Sequence, residues 1–302
     1  MRDRLSAFAE RNRGALFHNA FRQLAVRLWI RFRLWRIFHP ILPTREPETW
    51  VFMGGCYNSG TTILREMIGA HPEVASLPRE GVEMTDAFPD LEADGWVRMW
   101  VRNAEAADLS RRDPVALARR AKRDWSPWWR RGASVFIEKS IIHGAWMPTL
   151  DKGFQNARFI GVIRNGYCVC EGIRRRARPI DAARKTLGRD DYPIEEVGLQ
   201  WNFANQVLMR DRTSVKNYQE VRYEEFAANP IQTIRAIFIF IGVDPDAVKI
   251  IEDGQVQIGT RKFRIRNQNA DSLGRLDAAD KAALWSVIGP MMTELGYKEE
   301  AS

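Results

Sequence analysis

A glycine-containing segment at residues 55–62 has the residue types that bind phosphate groups. It reads Gly-Cys-Tyr-Asn-Ser-Gly-Thr-Thr, with four residues between its glycines, and it separates an apolar run from a stretch with helical periodicity. Glycines allow the backbone to fold tightly, so that amide groups and a helix N-terminus point at an anion. Ser59, Thr61 and Thr62 add hydroxyl donors. We therefore predict a phosphate-binding loop here rather than an ordinary turn between a strand and a helix.

The residue at position 61 narrows the kind of phosphate. Nucleoside triphosphatases carry a lysine at this place in the loop, where it reaches the β- and γ-phosphates. This chain has Thr61 instead. The loop therefore favours a 5′-phosphate over a magnesium-bound triphosphate, and a phosphate-loop kinase or triphosphatase is the weaker hypothesis.

The loop resembles the 5′-phosphosulfate loop of sulfotransferases that use 3′-phosphoadenosine 5′-phosphosulfate (PAPS). That loop usually reads Pro-Lys-Ser-Gly-Thr-Thr or Pro-Arg-Ser-Gly-Thr-Thr. Residues 158–165 are similar to the family's strand that ends in Arg-Asp or Arg-Asn, and residues 221–230 are similar to its Tyr-Glu-Asp segment. The three motifs occur in the family's order over residues 50–242. Their layout is closest to glycan and tyrosyl-protein sulfotransferases.

The resemblance implies which residues bind PAPS or its product, 3′-phosphoadenosine 5′-phosphate (PAP). Arg164 would hold the 3′-phosphate, and Tyr223 would contact the adenine. A late basic segment would close over the 3′-phosphate through Arg264 and Arg266. The residues assigned to the 5′-phosphosulfate belong to the loop and are Tyr57, Asn58, Ser59, Gly60, Thr61 and Thr62.

Two positions depart from the family's pattern. Asn58 replaces the loop lysine or arginine, which in the family meets the sulfuryl group and the bridging oxygen. Gly172 stands eight residues after Arg164, where the family usually has a serine on the 3′-phosphate. The arginines at 174–176 follow closely and are alternative sources of charge. These departures keep a nucleotide-binding module without activity among the hypotheses.

Sulfuryl transfer requires in-line alignment, a base for the acceptor proton and positive charge near the transferring group. Glu80 is the first candidate for the base, because glycan and tyrosyl-protein sulfotransferases have a catalytic glutamate at a similar distance after the loop. Lys139 lies in a Glu-Lys-Ser segment that resembles one in glycan sulfotransferases, and it is the candidate cation. His143 is the rival base. The plainer alternatives are a surface Glu80 paired with Arg79, and a Lys139 in a surface ion pair.

No metal is expected at this site, since PAPS presents one sulfuryl group rather than a polyphosphate. His18, His39 and His71 form no ligand cluster with any carboxylate. Cys56, Cys168 and Cys170 give no disulfide framework, and we expect buried thiols rather than a metal site.

Strands alternate with helices along the chain, which predicts an α/β fold with a P-loop-like central parallel sheet flanked by helices. Strands are predicted at residues 50–54, 74–77, 135–138, 158–163 and 218–223. Helices are predicted at residues 61–70, 194–211 and 230–241, with a last helix from Asp277 and a mostly helical stretch over 82–133.

Residues 1–45 are predicted to form a basic amphipathic helical arm, and residues 46–302 a sulfotransferase domain. Apolar residues recur in the arm at three- and four-residue steps, with arginines off that stripe. This pattern suits an interfacial membrane helix or a helix packed on its own domain or a partner subunit. No run of 18 apolar residues and no secretory signal is visible, so we expect a cytoplasmic location. Peripheral contact with the inner face of the membrane is the alternative.

The net charge of +8 favours anionic partners without choosing among a nucleotide, a nucleic acid, a membrane or an acidic glycan. No recognisable nucleic-acid module accompanies the charge, so we expect no nucleic-acid partner. The sequence predicts sulfuryl transfer from PAPS to a hydroxyl or amine of a glycan, glycolipid or related small acceptor, with release of PAP. A kinase or triphosphatase and an inactive nucleotide-binding module are the alternatives, and the oligomeric state is open.

Overall fold

The computed structural model describes Leu28 and residues 44–92, 94–130, 132–250 and 255–300. The arm predicted at residues 1–45 lies almost wholly outside these ranges, so its helical character and its membrane contact stay predictions. Within the described ranges, no helix is both long enough and apolar enough to cross a membrane.

A parallel sheet forms the centre of the described chain and confirms the predicted α/β fold. The strand order is β2-β3-β1-β4-β5, and every neighbouring pair is parallel. Each strand lies within one or two residues of a predicted one. The strands are β1 (Thr49–Gly55), β2 (Val74–Ser76), β3 (Val135–Lys139), β4 (Ala157–Ile163) and β5 (Tyr218–Arg222).

The apolar sequence of β1 explains its central position. All seven of its residues are buried, as expected for a parallel strand covered on both faces. Successive side chains point to opposite faces, so Trp50 and Phe52 enter one core cluster while Val51 and Met53 enter the other. The strand therefore links the two cores and carries the predicted loop at its carboxyl end.

Helices cover both faces of the sheet, and several begin where the sequence supplies a cap. Asp113 accepts a hydrogen bond from the Val115 amide, and Asn165 and Asp277 cap their helices in the same way. The helices are α1 (Thr61–Ile68), α2 (Pro114–Trp125), α3 (Met147–Gly153), α4 (Gly166–Arg176), α5 (Asp181–Leu187), α6 (Ile194–Asp211), α7 (Tyr223–Ala228), α8 (Pro230–Ile241), α9 (Asn269–Leu273) and α10 (Ala278–Glu294).

A small antiparallel sheet was not predicted. It consists of β6 (Val248–Ile250), β7 (Val256–Ile258) and β8 (Arg261–Phe263), in that order. Its buried residues join the same core cluster as Val51 of β1. The sheet ends just before the late basic segment and therefore leads that segment toward the loop.

The prediction of a mostly helical stretch over residues 82–133 was wrong. In the described part of this stretch, α2 is the one α-helix, and the rest consists of turns and short 3-10 segments. Long-range contacts hold these turns in place of helical hydrogen bonds: the Asn103 amide donates to the Leu91 carbonyl at 2.7 Å, and the Thr85 hydroxyl donates to Asp124 at 2.6 Å. Tertiary contacts outweigh local helix propensity here.

Candidate active site

The carboxyl ends of the parallel strands bring the predicted site residues to one edge of the sheet. The chain leaves β3 and crosses to the other side of β1 to form β4, so the strand order reverses around β1. Crevices for ligands form at such points in open parallel sheets. The loop at 55–62 follows β1, Lys139 ends β3, and Arg164 follows β4.

A cleft of about 440 Å³ opens at this edge. All fourteen predicted site residues lie within the described ranges, and eleven of them line the cleft. Ser59, His143 and Gly172 do not. The eleven are Tyr57, Asn58, Gly60, Thr61, Thr62, Glu80, Lys139, Arg164, Tyr223, Arg264 and Arg266.

Gly60 allows the loop to pack closely against Tyr223. Its φ of 91° is in the left-handed region, and a Cβ at this position would lie 2.7 Å from Cδ2 of the tyrosine ring. The Tyr223 hydroxyl donates to the Arg266 carbonyl at 3.2 Å and accepts from the Gln268 amide at 3.1 Å. Tyr223 thus connects the loop to the late basic segment across the cleft.

Arg164 is fixed in the cleft wall by two hydrogen bonds, and its Nη2 donor is left without a partner among the described residues. Its Nη1 donates to the Asn58 carbonyl at 2.7 Å, its Nε donates to Asn269 at 2.9 Å, and its Cζ lies 4.1 Å from the centroid of the Tyr223 ring. Its Nη2 is buried and has no hydrogen-bond partner within the described part of the chain. A buried donor without a partner is costly, so a phosphate oxygen here would satisfy it.

Ser59 and Gly172 have different places from those the resemblance implied. Ser59 is buried, and its hydroxyl has no hydrogen-bond partner among the residues that the structure describes. Gly172 lies on α4 against Asn58, where a Cβ on the glycine would be 3.1 Å from the Asn58 side chain. Gly172 does not line the cleft. Its lack of a side chain provides space for Asn58.

The Asn58 side chain is hydrogen-bonded to two arginines from distant parts of the chain. Its Oδ1 accepts from Arg98 and from Arg176, each at 3.0 Å. The arginines at 174–176 had been predicted as sources of charge, and the structure brings Arg176 of these three to the cleft. Arg98 was missed, because it lies in an irregular turn and no local motif marks it.

Glu80 and Lys139 form an ion pair in the cleft wall. Lys139 is buried at the end of β3, and Glu80 is half-buried in the turn after β2. That turn is held from behind, since the Gly81 amide donates to Glu138 and the Trp125 indole donates to the Gly81 carbonyl at 3.2 Å. The site thus holds a carboxylate and an ammonium group side by side.

His143 is buried beneath the site and not in the cleft. Only 1% of its side chain is exposed, and its Nε2 contacts the fully buried Glu138. Burial raises the pKa of Glu138 from 4.5 to about 8 and lowers the pKa of His143 from 6.5 to about 3. Burial therefore favours the uncharged form of both groups. The structure does not bring His143 to a position from which it contacts a bound molecule.

A second cavity of about 790 Å³ adjoins the cleft. The residues common to both walls are Tyr57, Glu80, Arg98 and Ile141. Apolar side chains such as Phe88 line the second cavity, together with a group of carboxylates. Over the described ranges, no group of three or more His, Cys, Asp or Glu residues could hold a metal ion. The three cysteines are buried and unpaired, as expected.

Comparison with known proteins agrees with these features. A model of the sulfotransferase family matches residues 51–247. A putative protein-tyrosine sulfotransferase of Caenorhabditis briggsae is 25% identical over 203 residues, which cover 64% of this chain and 65% of the relative. Protein-tyrosine sulfotransferase A of Caenorhabditis elegans is 24% identical over 88% of this chain and 73% of its own length. The chain thus spans just under two thirds of the first relative's length.

A solved structure shares the fold. Sulfotransferase STF9 from Mycobacterium avium superposes with a TM-score of 0.50 over 92% of this chain and 84% of its own, at 12% identity. The likeness extends to the arrangement of the sheet and its helices.

Proposed function

Because this chain belongs to the sulfotransferase family, we propose that it transfers a sulfuryl group from PAPS to a hydroxyl or amine acceptor and releases PAP. The charge of the cleft carries the proposal. Among the described residues, six cationic side chains line it against the carboxylates of Glu66 and Glu80. A cleft of this charge concentrates an anionic nucleotide. The six are Arg98, Lys139, Arg164, Arg176, Arg264 and Arg266.

The residues present fit PAPS at both of its ends. The loop at 55–62 and the first turn of α1 offer amides and hydroxyl groups to the 5′-phosphosulfate. Arg164 offers its unpartnered Nη2 to the 3′-phosphate, and Tyr223 offers its ring to the adenine. Bound PAPS supplies a sulfuryl group that is already activated by its link to phosphate.

The positions of Glu80 and Lys139 support roles in the transfer. Glu80 lies at the wall between the cleft and the second cavity, where its carboxylate would accept the proton of an acceptor hydroxyl. Lys139 lies beside it and would offset negative charge on the sulfuryl oxygens.

The second cavity is the proposed acceptor site. Its apolar wall suits the body of a small acceptor, and its charged groups favour one without negative charge. Five carboxylates line it against two arginines among the described residues. Three of the five are paired: Glu80 with Lys139, Glu83 with Arg79 and Asp86 with Arg120. Asp90 and Glu92 therefore stand against Arg98, which leaves a surplus of one negative charge. We propose an uncharged or cationic acceptor, which includes the hydroxyl of a neutral glycan, a glycolipid or a phenol.

A thermal-shift comparison of PAP, AMP and ATP tests the nucleotide. PAP is expected to raise the melting temperature most, because ligand binding to the folded state stabilises it by mass action. PAP differs from AMP by its 3′-phosphate, so Arg164→Gln should reduce the advantage of PAP over AMP. Arg184→Gln, on the exposed face of α5, is the matched control. Stronger stabilisation by magnesium-ATP would instead support the kinase alternative.

Turnover separates an enzyme from an inactive module. PAP released from PAPS is measured over time in the presence of a hydroxyl acceptor. Binding of PAP with no release of PAP above the rate without protein would favour the inactive module.

A further inference from the structure

The loop lacks its usual cation, yet the structure places cations beside the position where that cation is missing. Asn58 occupies the position at which the sulfotransferase loop that this one resembles carries lysine or arginine. Its Oδ1 accepts hydrogen bonds from Arg98 and Arg176, each at 3.0 Å. Asn58 therefore acts as an anchor for guanidinium groups that other segments supply.

The two arginines differ in where they lie along the cleft. Arg176 ends α4 and lines the nucleotide cleft. Arg98 lines the cleft and the second cavity as well. Glu80 also lines both cavities. A sulfuryl group moving from nucleotide to acceptor crosses this common wall, so Arg98 is the arginine of the pair beside its path.

The backbone at Arg98 is built to hold the side chain there. Arg98 has a φ of 60°, in the left-handed region that residues other than glycine, asparagine and aspartate seldom adopt. The same carboxylate oxygen of Glu92 accepts from the Arg98 amide at 2.9 Å and from the Tyr57 hydroxyl at 2.9 Å. Glu92 thus fixes both the arginine and the loop that it faces. Backbone strain of this kind persists where the surroundings impose it, often at functional sites.

We propose that Arg98 is a catalytic residue that replaces the missing loop cation, an inference that rests on the proposed sulfuryl transfer. During transfer the bond between the acceptor oxygen and sulfur forms, while the bond between sulfur and the bridging phosphate oxygen breaks. The acceptor proton moves to Glu80, and the electron pair of the broken bond stays on the phosphate of PAP. Arg98 stabilises the charge that develops on the sulfuryl and bridging oxygens.

Steady-state release of PAP from PAPS tests this role, with water and with tyramine as acceptors. Arg98→Gln is expected to lower kcat by about 10²–10³-fold, the usual effect of removing one transition-state donor. Its affinity for PAP, measured by calorimetry, should change less than the affinity of Arg176→Gln does. Arg98→Lys should keep part of the rate. Arg102→Gln, four residues further on and outside both cavities, should keep the wild-type rate.

A rescue variant separates this chemistry from a folding defect. Asn58→Lys added to Arg98→Gln places a cation on the loop itself and should restore kcat at least about tenfold. An unchanged kcat in Arg98→Gln, a loss confined to PAP affinity, or no rescue by Asn58→Lys would each overturn the proposal. Failure of the wild-type protein to bind PAP would overturn the proposed function itself, and that result is read independently of the variants.

Discussion

At the scale of single residues, the neighbours of Glu80 decide what it can do. Its carboxylate contacts Lys139, and its turn is fixed by Glu138 and Trp125. A carboxylate held in this way loses little freedom when an acceptor binds next to it. It lines both cavities, so it would reach both substrates if they bind as proposed.

Replacing Glu80 should separate chemistry from binding. Glu80→Gln keeps the size of the side chain but removes the base, so we expect kcat to fall by about 10²–10⁴-fold. PAP affinity should stay close to wild type. Rates of PAP release and calorimetric titration measure the two effects. Glu225→Gln, an exposed residue of α7, is the control, and a fully active Glu80→Gln would remove Glu80 from the mechanism.

Asn58 and Gly172 form a matched pair, although each looked like a separate departure from the family's pattern. A Cβ on Gly172 would lie 3.1 Å from the Asn58 side chain, which is closer than most Cβ contacts. The asparagine that anchors two arginines therefore requires the glycine behind it. The sequence alone does not show that the two positions are in contact, because only the fold brings them together.

The coupling of this pair can be measured with a double-mutant cycle. Gly172→Ala should destabilise the wild-type protein through overpacking, at about 1–3 kcal/mol. In an Asn58→Gly background the clash is gone, and the same change should stabilise by about 1 kcal/mol, because alanine favours a helix over glycine. Urea unfolding gives the four free energies of unfolding. Equal effects of Gly172→Ala in both backgrounds would contradict the coupling.

At the scale of secondary-structure elements, the last two residues of β3 lie on opposite faces, one toward the core and one toward the cleft. Side chains alternate along a strand, so Glu138 points into the core while Lys139 reaches the cleft. Glu138 accepts hydrogen bonds from Gly81 and Ser140 and contacts His143. This buried group holds the turn that carries Glu80, and a protonated Glu138 suits the three contacts.

The pH dependence of stability tests the charge of Glu138. The pKa of this group is raised from 4.5 to about 8 in the folded protein, so its contribution to stability is full below pH 4.5 and falls as the pH rises to about 8. Glu138→Gln mimics the protonated acid and should remove that fall. Urea unfolding at pH 5 and pH 8 measures the difference between the two proteins. A wild type and variant with parallel pH profiles would show that Glu138 is ionised when folded.

The sequence predicted β1 to β4 well because they begin as apolar runs that end at a turn. It also predicted β5, although that strand is largely polar. It also predicted eleven residues of the cleft. Seven of them lie on the three motifs, and the other four lie at or after the ends of β2, β3 and β8. The sequence did not predict Arg98, because that side chain reaches the loop through irregular turns that only tertiary contacts define. His143 was considered as a base because it lies close to Lys139 along the chain. Its burial beside Glu138 depends on how β3 and the following turn pack, which the sequence does not show.

At the scale of the whole molecule, charge is divided between the two cavities. Cationic groups exceed carboxylates in the nucleotide cleft, and carboxylates exceed arginines in the second cavity, counting the described residues. This division supports the proposal of two separate sites, one for an anionic donor and one for an uncharged or cationic acceptor.

Three phenols of similar size test the preferred charge of the acceptor. The value of kcat/KM should be largest for tyramine, intermediate for 4-ethylphenol and smallest for 4-hydroxyphenylacetate. The range should be about tenfold at low salt and should shrink as salt screens the charges. Asp90→Asn removes one exposed carboxylate and should narrow the range. A preference for the anionic phenol would contradict the proposed acceptor class.

The wall that the two cavities share has a kinetic consequence. Each cavity is bounded largely by its own residues, so PAP bound in the cleft as proposed would leave the second cavity open. If the second cavity is the acceptor site, a new acceptor would bind there before PAP departs, and the resulting complex would have no sulfuryl group to transfer. Initial velocity should therefore pass through a maximum and decline as acceptor concentration rises, and added PAP should move that maximum to lower acceptor concentration. A simple hyperbola at all acceptor concentrations would mean that PAP must leave first.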